Sequence, residues 1–285
     1  VSDSLPLVWF AIVGACIGSF LNVCVARWPR EESVVSPRSR CPRCAHAIAW
    51  HENIPILSWI LLRARCSSCR EPISVVYPLL ELVVALLWVT AAVRLGPNFT
   101  ALRVAIFATL LLGVMLTDAA HYIIPDGFTV FGLVWGLVSS VIGMLLSEVA
   151  PFVGITDALL GACVGAGAIA IMGWLGEVAL RKEAMGFGDV TLMAMIGAYL
   201  GPFRTLLTIL LGAALGAAVF LAVVYPITAL RRRVAVAGQL ELSLGRPPFV
   251  PPHVPFGVFL APAAIISLLW GDTVIRWYIG WVTGQ

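Results

Sequence analysis

Charge is what this chain of 285 residues has least of. Only 12% of its residues are Asp, Glu, Lys or Arg, where soluble domains carry about 25%. Lysine is almost missing: of the 18 basic residues, Lys182 alone is not an arginine. Such sparse polarity excludes an ordinary soluble domain, and with a formal net charge of only +3 no nucleic-acid partner is expected. Also missing is a basic stretch before the first apolar run, which follows Val1-Ser2-Asp3-Ser4. No cleavable signal is therefore expected, and that run reads as the first span. No glycine-rich dinucleotide fingerprint follows a predicted strand, and no convincing internal repeat suggests a transporter.

In place of charge stands apolar length. Hydrophobic residues make up 60% of the chain, with a mean hydropathy of +0.99. A membrane-crossing helix needs roughly 20 apolar residues. Candidate spans lie at about 5–26, 77–95, 99–117, 127–146, 157–180, 190–201, 203–229 and 256–272, the sixth being unusually short. The expected fold is an all-α polytopic membrane protein of about eight transmembrane helices. Three parts are expected: residues 1–26 as the first helix, 27–76 as a cytoplasmic cysteine loop, and 77–285 as a multi-span domain. Glycines four apart, Gly132/Gly136, Gly161/Gly165 and Gly212/Gly216, are spaced for close helix packing.

The arginines orient this bundle. Arg27, Arg30, Arg38, Arg40, Arg43, Arg63, Arg65 and Arg70 lie between the first two spans. Arg181 and Lys182 follow the fifth, and Arg231, Arg232, Arg233 and Arg246 follow the seventh. Alternate loops thus hold 14 of the 18 positives, and basic loops face the cytoplasm. Without the short sixth span the Arg231–Arg233 cluster would face the wrong way. The proline-rich run Pro247 to Pro255 reads as an extended linker.

Four of the seven cysteines form two pairs, Cys41-Pro42-Arg43-Cys44 and Cys66-Ser67-Ser68-Cys69. Two such knuckles can complete a tetrahedral zinc site. Four thiolates would fill its coordination shell, so the zinc is expected to be structural. Two disulfides are the alternative, disfavoured in a reducing cytoplasm. His46 and His51 stand by as reserve ligands. Cys16, Cys24 and Cys163 are expected to be buried small hydrophobes.

Two acids at membrane boundaries stand out. Asp189 lies in Gly186-Phe187-Gly188-Asp189 at the start of the sixth span, and Asp118 closes the third. The alternation of loops puts both ends on the cytoplasmic side. Two neighbouring carboxylates share one proton, so one can deprotonate water while the other protonates a carbonyl oxygen. Gly186 and Gly188 would permit unusual backbone angles and a close approach of substrate. Capping is the competing role for these acids, and Asp126 is expected to be the N-cap of the fourth span. Glu81 and Glu177 fall inside spans and require partners or water.

Taken together, these residues resemble the bacterial type IV prepilin leader peptidases, which are GxGD aspartyl membrane proteases. The resemblance runs through Gly18-Ser19-Phe20-Leu21-Asn22-Val23, Arg27-Trp28-Pro29 and the cysteine loop with Asn53-Ile54-Pro55. It continues through Tyr77-Pro78-Leu79-Leu80-Glu81, Asp118 to Asp126, Gly186 to Asp189 and Pro255-Phe256-Gly257. It implies leader cleavage of prepilins and pseudopilins at the inner membrane, with Asp118 and Asp189 catalytic and Cys41, Cys44, Cys66 and Cys69 on zinc. It also implies N-methylation of the new terminus by S-adenosylmethionine, whose site it leaves unassigned, with Asn22, Glu81 and the loop between them as suspects. The family often has lysine two positions after the second aspartate; here that residue is Thr191. Rival readings are a peptidase without methyl transfer, a zinc-stapled transporter or scaffold, and a thiol redox protein.

Overall fold

The computed structural model describes residues 4–181, 185–227 and 255–283. Lys182, the Arg231–Arg233 cluster, Arg246 and most of the proline-rich run lie outside them. Among the described residues the architecture is helical, with two isolated bridges, Arg40 to Ala47 and Arg65 to Pro72, in the cysteine loop.

The long helices follow the apolar runs. They are α1 (Ser4–Arg27), α3 (Val76–Leu95), α4 (Phe99–His121), α5 (Asp126–Leu145), α6 (Ile155–Leu180), α7 (Phe187–Val219) and α8 (Gly257–Thr283). The short α2 (Leu57–Leu61) lies in the cysteine loop. Among the described residues seven helices are long and apolar enough to cross a membrane, the longest running from Phe187 to Ile227. This is a multi-pass membrane protein.

That longest stretch is not one straight rod. Gly201 has φ 75 and ψ 175, and Pro202 follows it. Proline cannot donate the helical hydrogen bond, and the left-handed φ suits glycine alone. A Cβ on Gly165 of α6 would meet both Met193 O and Thr205 Cγ2. Twelve residues of straight helix would put those atoms about 18 Å apart. The chain therefore doubles back at Gly201, and α7 is two arms. Among the described residues the expected short sixth and the seventh spans are thus the two arms of α7, meeting at a glycine–proline reversal.

Glycines set the distances between these rods. Gly197 of the first α7 arm faces the Gly161 carbonyl of α6, and Gly161 faces the Gly197 carbonyl in return. Gly14 and Gly18 of α1 fit against Trp88, Val84 and the Glu81 backbone of α3. Small residues allow this backbone approach, which gives dispersion contact where lipid offers no hydrophobic drive. In the middle of the bundle the Phe107 and Tyr199 rings stack with centroids 4.2 Å apart. Trp88 is buried and donates to Thr109 Oγ1 at 3.1 Å.

The same contacts fix direction. Gly132 and Gly136 of α5 face Met195 and Tyr199, so α5 runs parallel to the first α7 arm. Gly216 and Gly212 face Phe259 and Leu260, while Gly271 faces Arg204, so the second arm and α8 are antiparallel. The ends carrying Asp118, Asp189 and Gly257 consequently gather at one end of the bundle, where the cysteine loop also attaches. At the opposite end Arg204 forks onto both carboxylate oxygens of Asp272 and donates to Pro151 O, joining α7, α8 and the α5–α6 loop.

Cysteines 16 and 163 depart from expectation. Of the three cysteines outside the loop, Cys24 is buried, whereas Cys16 and Cys163 lie exposed on the flank, as small apolar groups can in a bundle that faces hydrocarbon.

Candidate functional site

Asp118 sits in the last turn of α4, which ends where Tyr122 adopts φ 57 and donates its amide to Asp118 O at 2.9 Å. That left-handed cap swings Ile123-Ile124-Pro125 back beneath the helix end before α5 begins. The Asp118 side chain is buried, and its Oδ2 accepts the Val258 amide of α8 at 3.1 Å. Gly257 lies so close that a Cβ there would stand 2.8 Å from the same oxygen.

Asp189 is in the first turn of α7, behind a Gly186 N-cap whose side makes no capping bond. It is half-buried and close enough to Asp118 for the two charges to interact. Ile124 lies between the elements: Gly188 packs on its Cβ, and Gly257 on its Cδ1. Residues 71 positions apart thus meet at one helix-end cluster formed by α4, α7 and α8. Gly186 and Phe187 are exposed beside it, leaving the Asp189 side open for approach.

The glycines act differently from expectation. Gly186 has an extended backbone, φ −78 and ψ 154, which any residue can adopt. Gly188 is helical, and what it needs is space, since a Cβ would come 2.9 Å from Ile124 Cβ. Asp126 is likewise not the N-cap of α5. Pro125 holds that position, and Asp126 is the first helical residue, exposed to surroundings. Its carboxylate still favours the positive end of the helix. Thr191 turns inward on its own helix, donating to Gly188 O at 3.0 Å.

Residue sequence alone could not supply is the α8 terminus. Pro255-Phe256-Gly257 was recognisable as a motif, but its contact with Asp118 joins positions 140 apart. The one available signal was a glycine after prolines, opening an apolar run, as a helix start would.

The cysteine loop forms a second cluster on the same end. The four Sγ atoms of Cys41, Cys44, Cys66 and Cys69 lie within 4.8 Å of one another. Cys41 to Cys69 is 3.8 Å and Cys44 to Cys66 is 4.0 Å. A tetrahedron with metal–sulfur bonds of about 2.3 Å has edges of about 3.8 Å, so the cluster could hold a metal ion. The amides of Cys44 and Arg43 lower the Cys41 thiol to about 7, and those of Cys69 and Ser68 lower Cys66. At Cys69 the Glu71 amide also lowers the thiol, but desolvation and the three neighbouring sulfurs outweigh it and push it up to about 12. All four could be thiolates together only with a cation among them.

His46 is not among these sulfurs. Its Nε2 meets Glu52 Oε2 at 3.1 Å, and Glu52 also accepts the Ala49 amide at 2.9 Å. A hydrogen bond from Ser67, then those from Ala49 and His46, hold the Glu52 carboxyl at about 2. Two further polar contacts fasten the loop to the bundle. Asn22 Nδ2 donates to Tyr77 O at 3.1 Å, and the Ile56 amide donates to Glu81 Oε2 at 2.7 Å. Ile56 has φ 62 and ψ −49 with Leu57 N bonded back to Pro55 O, a strained γ-turn. The buried Glu81 thus finds a partner, while Glu177 is exposed.

Comparison with known proteins converges on one family. Residues 12–95 match the bacterial peptidase A24 N-terminal domain, and residues 105–221 match the type IV leader peptidase family. A prepilin leader peptidase/N-methyltransferase of Aeromonas hydrophila is 35% identical over 310 aligned residues, covering 98% of this chain and 97% of the relative. One of Pseudomonas aeruginosa is 34% identical, covering 94% and 91%. One of Myxococcus xanthus is 43% identical over 213 residues, 74% of this chain and 61% of the relative. No solved structure matches the chain. Both halves and nearly the full length agree: the chain belongs to the type IV leader peptidase family.

Proposed function

We propose that this protein cleaves the leader of type IV prepilins and pseudopilins and methylates the new amino terminus. The observation that carries the reading is the meeting of Asp118 and Asp189 at one end of the bundle, beside an exposed Gly186-Phe187 entrance. A carboxylate pair sharing one proton can activate water and protonate the scissile carbonyl without a metal. Prepilin would approach laterally through the bilayer, with its leader junction at these helix ends. The excess of arginine around the loop supports a cytoplasmic position for this end, at the inner membrane.

The cysteine cluster is read as a structural zinc site. Cys41, Cys44, Cys66 and Cys69 would hold the ion, neutralising their crowded thiolates and leaving no open position for catalysis. A loop of this size has little core of its own, so the ion would staple it. S-adenosylmethionine would supply the methyl group. A recess of about 260 Å³ between the end of α1 and the loop, lined by Arg27, Arg38 and Trp50, would be the place to hold it.

The test uses the purified full chain in lipid vesicles with a prepilin and S-adenosylmethionine, reading product mass. The expected product has lost its leader and gained one methyl group. Cleaved but unmethylated pilin would leave a peptidase alone. Unchanged prepilin would overturn the reading.

A further inference from the structure

Three apolar side chains of the cysteine loop face outward. In α2, Leu57, Ile60 and Leu61 are 50%, 59% and 70% exposed, and their spacing puts them on one face of the helix. The rest of the helix is fastened to the loop. Ser58 is buried and donates to Ile54 O at 2.7 Å, and Trp59 Nε1 donates to Ile73 O at 3.1 Å. Val75 and Val76, where the loop enters α3, are exposed as well.

Depth decides what surrounds this face. α1 and α3 are antiparallel, with Gly18 against the Glu81 backbone and Gly14 against Trp88. Glu81 is thus level with a residue well before the end of α1 at Arg27, about 13 Å back along the helix. The Ile56 amide nevertheless reaches Glu81 Oε2 at 2.7 Å. Gly113 of α4 faces Leu21, so Asp118, more than a turn further on, stands level with the last turn of α1. The turn that opens α2 therefore dips beside α3 below the ends of α1 and α4, where both neighbours are apolar enough to span. At its other end α2 leads into Arg63 and Arg65. Both are exposed and, among the described residues, neither forms an ion pair.

We propose that α2 is a membrane-surface element. Leu57, Ile60 and Leu61 lie among the acyl chains of the leaflet at this end of the bundle, and Arg63 and Arg65 pair with anionic lipid headgroups. Apolar groups at this depth meet hydrocarbon, and a basic rim beside them matches the negative surface of an anionic leaflet. Lipid thereby fixes the height of the cysteine loop relative to the two acids. The inference does not rest on the peptidase reading.

The full chain in vesicles of phosphatidylethanolamine with about a third phosphatidylglycerol tests this. A photoactivated carbene reagent is supplied either dissolved in the bilayer or confined to water, and labelled peptides are read by mass spectrometry. The bilayer reagent should label Leu57 to Leu61 within about twofold of the exposed α3 flank at Leu82 and Leu86. The aqueous reagent should spare both. Omitting phosphatidylglycerol should lower bilayer labelling of α2 at least about twofold, with the α3 flank unchanged, and Arg63→Gln with Arg65→Gln should abolish that response. Labelling of α2 from water, or from neither phase, would overturn the proposal. So would an anionic-lipid response retained in the arginine variant. Loss of bilayer labelling on addition of a prepilin would overturn it too, by assigning the face to the substrate's own helix.

Discussion

Between Arg27 and Val76 the chain is held by polar contacts: four sulfurs within 4.8 Å of one another, Glu52 between Ala49 and His46, and Glu81 gripping the Ile56 amide. Beyond Val76 the bundle is held mainly by absence of side chain, with Gly161 against Gly197 and Gly165 against Met193. The difference follows from solvent. In water a small loop lacks enough apolar area to fold, so polar contacts, and the metal ion that its four sulfurs could hold, are left to order it. In hydrocarbon every side chain is already solvated, so close backbone packing decides the arrangement. The two carboxylates stand where these regimes meet.

That contrast can be broken from either side. The largest effect is expected at the junction: Asp118→Asn or Asp189→Asn should each lower cleavage by about a thousandfold or more, while the protein still inserts and binds metal. Wild-type processing by either variant in vesicles would remove the pair from the chemistry. Next comes metal removal. Stripping with a chelator, or Cys41→Ser, should leave residues 27–76 open to limited proteolysis while the bundle keeps its helical circular dichroism. Loss of both together would mean that the loop and bundle are one cooperative unit.

Within the bundle, Gly197→Leu should destabilise by about 1–3 kcal/mol or more through overpacking against α6, read as lowered thermal stability in detergent with zinc stoichiometry unchanged. Glu81→Ala sits on the border. It leaves the Ile56 amide of a strained turn without an acceptor, at a cost of about 1–3 kcal/mol, and hydrogen exchange at residues 54–57 should rise without change in α3. The smallest effect concerns pH. Glu52, held at about 2, lies below the ordinary carboxylate value of about 4.3. Its stabilisation of the loop is present above about pH 4.3 and is lost as pH falls through about 2. The difference in loop stability between wild type and Glu52→Gln should shrink over that window. A difference independent of pH would show that the carboxylate charge has no part in the clasp.

Much of this was legible from residue order, because membrane helices announce themselves by apolar length and metal knuckles by paired cysteines. The long apolar segments and the Cys41/Cys44/Cys66/Cys69 grouping needed only local pattern, whereas the approach of Asp118 to Asp189 joins residues 71 positions apart and was not visible in residue order. Capping was less legible: Pro125 rather than Asp126 precedes α5, a one-residue shift that local preference does not resolve. Burial of Cys16 and Cys163 was misjudged because apolar residues in a bilayer need no interior.

What the sequence by itself determined, then, is which segments are long and apolar enough to cross a membrane and which side chains have chemistry to offer. Those properties depend on composition over one helix length, with water and hydrocarbon as the two solvents. Only the tertiary structure decided that Ile124 fills the space between Gly188 and Gly257, that the chain reverses at Gly201 within one apolar run, and that an α8 amide reaches Asp118. These contacts join positions far apart in the chain, and each depends on how closely neighbouring backbones can approach.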